Sequence, residues 1–394
     1  MPKAKATVPD KNLVMKKVAL ITSFAPNIGG GAVIINSLIP ALKEKEIDVE
    51  WIYLNDKDIE RNGCVWIGEP LMGGSLGKDI KNNLLLWIGI KTKAINQILE
   101  RIVAVKADIY WIEAHNEGVL LARELAPMTD TPIHFTVHDD VPYGVFARSR
   151  RYRWLSGIAQ KRFAEAMHSA CGVDVISDGM RDYYQKIFGI NSAVIHRYLP
   201  SLPQFDSVTF DVNSLTVGHI GTVYSLAEFR LFCQALQEYA KAKGLNAKLI
   251  TIGLAREYIS IINEFPQLIH DIPQLTETAA IAQLSRCNFV YAMYPFSRSS
   301  AVFRQTSLAT KLTTYIQAQR PIFAHTPSDS TVATVVSKYQ LGVICDRLTT
   351  SDLTAAIEQL CKYELTPNCF ENARAALFGY DNVTKLEKCL KQTV

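Results

Sequence analysis

The sequence has no stretch of about 18 uninterrupted apolar residues, the length that a helix needs to cross a bilayer. Its best candidate, residues 84–90, is less than half that long. The polar N-terminus also lacks the apolar segment of a secretory signal. We therefore expect a cytoplasmic protein, and we leave open a peripheral position at the inner face of a membrane.

Metal-binding and disulfide patterns are missing as well. None of the eight cysteines forms a CxxC pair or a spacing typical of zinc, and the aspartates after the predicted strand at 133–137, Asp139 and Asp140, are adjacent rather than spaced as D-x-D. Several cysteines lie inside predicted helices or strands, which is typical of small buried residues in a reducing compartment. The sequence therefore predicts reduced cysteines and no metal site.

A strong charge of one sign is absent too. The formal net charge is +4, and no strip of alternating aromatic and basic residues is present, so we expect no nucleic-acid partner. The 394 residues are 48% hydrophobic and 20% charged, which is ordinary for a globular protein. This length favours two domains.

Strand and helix signals alternate along the whole chain, which predicts an α/β fold made of two doubly wound, Rossmann-like domains. A strand at 17–22 leads into a glycine run at 29–31, a helix and a second strand at 48–54. The glycine run does not match G-x-G-x-x-G, but it lets a ligand approach the backbone closely. The second domain begins with a strand at 215–220 that leads through Gly221 and Thr222 into a helix.

The predicted boundaries follow from these elements and from an aperiodic, proline-containing stretch. We expect a flexible tail at 1–16, a first domain at 17–200, a linker at 201–213, a second domain at 214–375 and a C-terminal helix at 376–394 that packs back on the first domain. Residues 61–83 show no clear element. They are either a mobile loop over the cleft of the first domain or a surface excursion without function.

The stretch from 294 to 324 carries the strongest ligand-binding signal. A hydroxyl-rich and cation-rich loop precedes a predicted helix at about 306–315, which Thr306 or Ser307 would cap. Arg298, Arg304 and Lys311 lie close by in sequence, a combination suited to a diphosphate. An ordinary strand–loop–helix crossover with solvated arginines explains the same pattern equally well.

Two further features lie in the first domain. His138 directly follows a predicted strand at 133–137, where α/β sheets bind ligands, although such a histidine can also bond to a neighbouring loop carbonyl. Residues 148–162 hold six cations and no acidic residue. Within that stretch Arg150, Arg151 and Arg153 predict a face for an acceptor or for anionic lipids, and a solvated helix face is the alternative.

Taken together, these features resemble the GT-B glycosyltransferases, and most closely the retaining enzymes of the family 4 type. The glycine run 29–31 is similar to the family's loop near the donor phosphates. Val137-His138-Asp139 is similar to its strand-end histidine, which contacts the transferred sugar. The run from Thr310 to Tyr315, followed by Pro321, looks like the family's S-K-L-x-E-Y…G-x-P-V segment, in which the lysine and the helix N-terminus face the nucleotide diphosphate.

The sequence also departs from the family pattern. The family's paired glutamates are replaced by Thr306 and Thr314. Its arginine after the glycine of the second domain's first strand is replaced by Thr222, after Gly221, and its following lysine has no counterpart at the expected offset. The resemblance then implies that Arg298, Arg304 or Lys311 neutralises the pyrophosphate. It assigns acceptor binding to the first domain and nucleotide-sugar binding to the second. The expected donor-binding residues are Gly29, Gly30, Gly31, Gly221, Thr222, Arg298, Arg304, Thr306, Ser307, Lys311 and Thr314, with His138 as the catalytic residue.

The resemblance implies a metal-independent and cofactor-independent transfer, with retention, from a nucleotide-diphosphate sugar to a saccharide or lipid-linked saccharide. The missing family residues keep a second hypothesis open, in which a catalytically impaired GT-B-like protein serves as scaffold or partner subunit of an active transferase. A different α/β enzyme of nucleotide-sugars, such as an epimerase, is the third hypothesis.

Overall fold

The computed structural model describes residues 15–26, 29–55, 63–69, 87–115, 117–147, 153–206, 208–254 and 258–392. Two β-sheets form the scaffold of this part of the chain. The first sheet contains β1 (Lys16–Thr22), β2 (Ile47–Leu54), β3 (Cys64–Gly68), β4 (Ile109–Glu113), β5 (Ile133–Val137), β6 (Gly172–Val175) and β7 (Ala193–Val194). The second contains β8 (Ser214–Ile220), β9 (Asn246–Ile252), β10 (Ile269–Ile272), β11 (Phe289–Met293), β12 (Ile322–His325) and β13 (Gly342–Cys345).

Helices connect the strands of both sheets. On the first sheet they are α1 (Gly29–Glu44), α2 (Lys93–Ala104), α3 (Gly118–Leu125), α4 (Ser156–Ser169) and α5 (Asp178–Phe188). The second sheet carries α6 (Leu226–Lys243), α7 (Ile259–Glu264), α8 (Glu277–Leu284), α9 (Ala301–Thr306), α10 (Thr310–Ala318), α11 (Thr331–Lys338), α12 (Thr350–Cys361) and α13 (Cys369–Phe378), and α14 (Asp381–Lys391) ends the described chain.

The strand order places the ligand-binding edges. The first sheet has the order β3-β2-β1-β4-β5-β6-β7 and the second has β10-β9-β8-β11-β12-β13, and the paired strands are parallel. In each sheet the order reverses beside its first strand, between β1 and β4 and between β8 and β11. Ligands of doubly wound sheets bind outside the carboxyl ends of the strands at such a point. This topology confirms the predicted fold class.

The buried residues form separate cores on the two sheets. β1 is covered on both faces, since Val18, Ala19, Leu20 and Ile21 are at most 1% exposed, as expected for a strand with helices on both sides. The core of the first sheet also contains Val383, Leu386 and Leu390 of α14. We therefore call β1–β7 with α1–α5 and α14 the first lobe, and β8–β13 with α6–α13 the second lobe. The domain boundaries given above stay a prediction.

The chain passes between the lobes twice, and the two passages are bonded to each other. The backbone N–H of Leu199 donates to the carbonyl of Phe378 at 2.8 Å. The Arg374 guanidinium donates to the carbonyl of Leu199 at 2.7 Å. Just before this junction, the backbone N–H of His196 donates to Asn382 Oδ1 at 2.8 Å.

The structure differs from the expected helix at about 306–315. Two helices are present, α9 and α10, and the N-cap of α10 is Ala309, which makes no side-chain capping bond. The prediction that Thr306 or Ser307 caps this helix is therefore wrong. Thr306 belongs to the end of α9 and its hydroxyl donates to the Val302 carbonyl at 2.7 Å, a bond within the preceding turn.

The stretch 61–83 also differs in part from expectation. Residues 64–68 form the edge strand β3, which pairs with β2, so the expectation of no element is wrong there. Residues 70–83 lie outside the described residues, as does most of the predicted tail at 1–16.

Candidate active site

A cavity of about 330 Å³ lies between the carboxyl ends of the two sheets. The first lobe lines it with α1 and with residues at the ends of β1, β4, β5 and β6, and the second lobe with the loop after β8 and the stretch from α9 to α10. Its lining residues are Phe24, Gly29, Gly30, Gly31, Ile34, Glu113, His115, His138, Asp139, Ile176, Tyr224, Phe303, Ser307, Leu308, Ala309 and Thr310.

Side-chain bonds hold the segment after β1 in place. The Ser23 hydroxyl donates to the carbonyl of His115 at 2.6 Å and the Thr22 hydroxyl to that of Phe24 at 2.7 Å. The indole of Trp51 in turn donates to the Thr22 hydroxyl at 2.8 Å. These bonds fix the approach to α1, so that its first turn opens on the cavity.

The glycine run makes the lobes' close approach feasible. A Cβ at Gly30 would lie 2.7 Å from the hydroxyl oxygen of Thr310, in the first turn of α10. Any larger side chain at position 30 would therefore crowd Thr310 and the space between the two helix N-termini. Both N-termini present free backbone N–H groups, the usual setting for an anion.

His138 lies at the end of β5 with only 10% of its side chain exposed, and its Nδ1 is 3.2 Å from Oε1 of the buried Glu113. The contact is an ion pair when the imidazole is protonated, and Nδ1 makes no hydrogen bond within the described part of the structure. Burial by itself lowers the pKa of His138, but Glu113, and then Asp174 and Asp139, more than offset this, so the pKa is raised. The imidazolium form is consequently retained to higher pH than in a free histidine.

Asp139 follows His138 and faces the other lobe. The Ser307 hydroxyl donates to Asp139 Oδ1 over 3.3 Å, a long bond that joins the lobes. Loss of contact with water raises the pKa of the Asp139 carboxyl, whereas the charges of His115 and His138 act to lower it. A carboxylate in this position can accept bonds from ligand hydroxyls.

Lys311 is the predicted cation that comes nearest to the cavity. Its Nζ donates to the Thr222 carbonyl at 2.5 Å and lies 4.5 Å from the centre of the Tyr224 ring, which lines the cavity. Its loss of solvent lowers the pKa of Lys311 to about 7. The backbone of Thr222 and Gly221, with φ of 71° at the glycine, forms the loop on which the ammonium rests.

The two predicted arginines lie elsewhere. Arg304 is buried and holds Asp329 through two bonds, Nε to Oδ1 at 2.7 Å and NH2 to Oδ2 at 2.9 Å. Arg298 is exposed in a short turn before α9. Neither lines the cavity. Both arginines are close to Lys311 in sequence, but the turn that holds Arg298 and the helix α9 that holds Arg304 direct them to other surfaces.

The predicted hydroxyl ligands divide in the same way. Ser307 lines the cavity, whereas Thr306 and Thr314 are buried in their helices and do not. Of the predicted basic face, Arg153 is exposed and donates to the Ala147 carbonyl at 3.2 Å. Arg150 and Arg151 lie outside the described residues.

The lobes touch directly beside the cavity. The Ser177 hydroxyl accepts from the N–H of Met180, which caps α5, and donates to the Thr306 carbonyl at 2.5 Å. A Cβ at Gly179 would lie 1.9 Å from the carbonyl oxygen of Gln305. The lobes are thus in contact along α5 and α9. Ser177, Gly179 and Gln305 line a second cavity of about 400 Å³. It shares Leu308 with the first cavity, but neither His138 nor the glycine run lines it.

Two structural observations concern other kinds of site. Within the described ranges, no group of three or more His, Cys, Asp or Glu side chains is arranged to hold a metal ion. In the same part of the chain, no helix is long and apolar enough to span a membrane.

Residues 28–198 match the family model described as Glycosyltransferase Family 4. This segment of the chain is thus a Glycosyltransferase Family 4 domain, and the chain as a whole has the GT-B fold. No curated protein sequence matches it.

Solved structures share this GT-B fold over nearly the whole chain. α,α-Trehalose 6-phosphate synthase from Burkholderia multivorans has a TM-score of 0.65 at 12% identity, over 96% of this chain and 98% of that one. WaaG, a glycosyltransferase involved in lipopolysaccharide biosynthesis, has a TM-score of 0.59 at 11% identity, over 95% and 100%. A structure described as trehalose-6-phosphate from E. coli bound with UDP-2-fluoro glucose has a TM-score of 0.61 at 14% identity, over 96% and 100%. At these identities the likeness establishes the fold alone.

Sequence reasoning missed several residues in and beside this cavity. Glu113 ends β4 and His115 follows it, and their position at a strand end was a signal that could have found them. Tyr224 follows the glycine that ends the first strand of the second lobe. Gly179 carries no local signal, because only the packing of α5 on α9 makes it necessary.

Proposed function

We propose that the protein transfers a sugar from a nucleotide-diphosphate donor to a saccharide or lipid-linked saccharide acceptor, with retention of configuration and without a metal ion. The inter-lobe cavity carries this proposal, because the first turns of α1 and α10 face each other there beside His138. Breaking the donor's glycosidic bond leaves negative charge on a diphosphate. Helix N-termini and a nearby ammonium are the groups that stabilise such charge.

The residues then take distinct roles. Lys311 and the first turn of α10 hold the diphosphate, and the ammonium exchanges its bond to the Thr222 carbonyl for a phosphate oxygen. The glycine run at 29–31 permits the donor to approach the backbone. His138 contacts the transferred sugar. Arg304 supports the site indirectly, since its bonds to Asp329 hold the segment before α11 against α9.

Retention is consistent with the groups present. A retaining transfer through the leaving diphosphate requires no side-chain nucleophile, and the diphosphate itself takes the acceptor's proton. Contact between the lobes excludes water, which would otherwise hydrolyse the donor.

A panel of nucleotide-sugars tests the donor class. The purified protein is heated with UDP-, GDP-, ADP- and dTDP-sugars, and UDP-sugars come first because the E. coli neighbour was solved with one. At least one donor is expected to raise the melting temperature, and a saccharide acceptor should then yield product. Absence of a shift with every nucleotide diphosphate would falsify the proposal.

A partner-subunit role is the second candidate, and one observation favours it. Arg304 is committed to Asp329, and the hydroxyls of Thr306 and Thr314 do not line the cavity. Such a protein would form an obligate complex with an active transferase, and His138→Ala would leave cell function unchanged. Co-purification together with complementation by that variant separates the two candidates.

We also propose a peripheral membrane contact through the start of α4. Trp154 is 68% exposed and Ile158 37%, and the exposed cations Arg153 and Lys161 lie beside them. Amphipathic surfaces of this kind bind anionic headgroups. Vesicles with and without anionic lipid should separate the behaviours: sedimentation with anionic vesicles that is lost in Trp154→Ser supports the contact, and equal binding to neutral vesicles contradicts it.

A further inference from the structure

Glu113 is a buried carboxylate in the site, and no sequence motif indicates it. Its side chain is 3% exposed at the carboxyl end of β4. Oε2 accepts the backbone N–H of His115 at 2.8 Å, so that one oxygen is anchored. The other, Oε1, lies 3.2 Å from Nδ1 of His138. Burying an ionised carboxylate is costly unless it is bonded and paired, and both conditions are met here.

The sheet topology creates this pairing. β4 and β5 are adjacent and parallel, with Glu113 opposite Thr136 in the register. His138 therefore follows two residues beyond that point, at the same edge of the sheet. A neighbouring pair of strands, rather than a single loop, determines the spacing of carboxylate and imidazole.

We propose that Glu113 is a positioning residue for His138, holding the Nδ1 side of the imidazole so that Nε2 is left for the sugar. This inference rests on the proposed function, because it assumes that His138 meets the transferred sugar. A carboxylate beside one ring nitrogen favours the proton on that nitrogen and the charge of the protonated ring, which leaves the opposite nitrogen for a ligand.

The electrostatic surroundings of His138 agree with this role. Burial lowers its pKa, and Glu113 provides the largest opposing influence, ahead of Asp174 and Asp139. Replacing Glu113 by a neutral residue therefore removes the main influence that keeps the pKa raised. The other titratable groups around the imidazole are two further histidines, His115 after β4 and His196 near the inter-lobe junction.

Glu113→Gln tests the inference, because glutamine keeps a carbonyl oxygen for the His115 N–H but carries no charge. The first measurement is a ¹⁵N-histidine NMR titration of the unliganded full chain, with the His138 signal assigned by its loss in His138→Asn. We expect the His138 pKa to fall in Glu113→Gln. We also expect kcat to fall about tenfold or more, with donor KM unchanged and the pH profile moved to lower pH.

Two variants serve as references. Glu113→Asp keeps the charge on a shorter side chain and should restore part of the His138 pKa and part of kcat. Glu165→Gln removes a carboxylate that pairs with Arg123 and Arg162 away from the cavity, and should change neither the titration nor the rate.

The outcomes separate this inference from the proposed function. An unchanged His138 pKa in folded Glu113→Gln, or a lowered pKa with unchanged kcat, overturns the positioning role. Failure of the wild type to bind any nucleotide diphosphate overturns the proposed function instead, whatever the titration shows.

Discussion

The two lobes share one topology but place different chemistry at the cavity between them. The first lobe contributes carboxylates and imidazoles, from Glu113 to Asp139, at the ends of β4 and β5. The second contributes backbone groups and one neighbouring ammonium, Lys311, which rests on the Thr222 carbonyl. The first set suits hydroxyls and protons, and the second suits an anion. The fold thus provides two equivalent edges, and the residues after the strands decide what each edge binds.

Tyr294 shows the difference at the corresponding strand end of the second lobe. It follows β11, which occupies in the second sheet the place that β4 has in the first. Its hydroxyl donates to the Ser307 carbonyl at 3.0 Å and accepts the Ala309 N–H at 2.8 Å. Glu113 in the first lobe orients a side chain, whereas Tyr294 in the second anchors the start of a helix.

Removing the imidazole from the first lobe should have the largest effect. His138→Ala is expected to lower kcat by about a hundredfold or more, because the group meeting the sugar is lost. Affinity for a nucleoside diphosphate should stay unchanged, since that ligand belongs to the second lobe. Steady-state kinetics and calorimetry measure the two quantities, and a parallel loss of both would break the comparison between the lobes.

Removing the ammonium from the second lobe should reverse this pattern. Lys311→Ala is expected to weaken nucleoside-diphosphate binding about tenfold or more, because a charge-assisted bond contributes about 1.5–3 kcal/mol. The matched control is Lys338→Ala, since Lys338 Nζ also lies near a tyrosine ring, 5.2 Å from that of Tyr339, but on an exposed surface. Equal thermal shifts for wild type and Lys311→Ala would assign the diphosphate to other groups.

Preventing contact between the lobes should have a smaller effect on kcat and on nucleoside-diphosphate affinity than either of these substitutions. Gly179→Ala places a Cβ against the Gln305 carbonyl, and such overpacking costs about 1–3 kcal/mol. We expect a lower kcat and a larger radius of gyration with donor bound, measured by small-angle scattering. Gly157→Ala in α4 is the control, because its Cβ would meet nothing within 4 Å. Identical scattering curves for the two variants would show that α5 and α9 need not touch.

The smallest effect is a pH dependence of donor binding. The pKa of Lys311 is lowered to about 7, so the free protein loses this positive charge as pH rises through that value. Nucleoside-diphosphate affinity should therefore fall as pH rises above 7, and the total loss should not exceed the loss in Lys311→Ala. Lys311→Arg keeps its charge throughout and should bind independently of pH over the same range. A wild-type affinity that stays constant from pH 6 to 9 contradicts the expectation.

Much of the fold follows from local sequence signals. The apolar run at 133–137 predicts β5 with the bounds that the structure has. The Ser177 cap and the Gly189 stop delimit α5 correctly, because capping and a left-handed glycine act through neighbouring backbone alone. The break between α9 and α10 could not be predicted in this way. It depends on Tyr294, whose hydroxyl bonds to both sides of the break from another part of the chain.

A site residue could be predicted only where a single strand end indicates it. His138 follows β5 directly, and a histidine in that position is a local signal. Its partner Glu113 becomes recognisable only when β4 is known to lie beside β5. Arg304 illustrates the opposite error, since nearness to Lys311 in sequence suggested a shared ligand while helix geometry directs it to Asp329.

The bonded junction of Leu199 with Phe378 has a mechanical consequence. Because both covalent crossings meet at this one place, the halves of the molecule have a common pivot, and any swing between them must grow with distance from it. The distance between two spectroscopic labels, one on each half, would barely change if both lie beside the pivot. Labels far from the pivot would report the full amplitude of the movement.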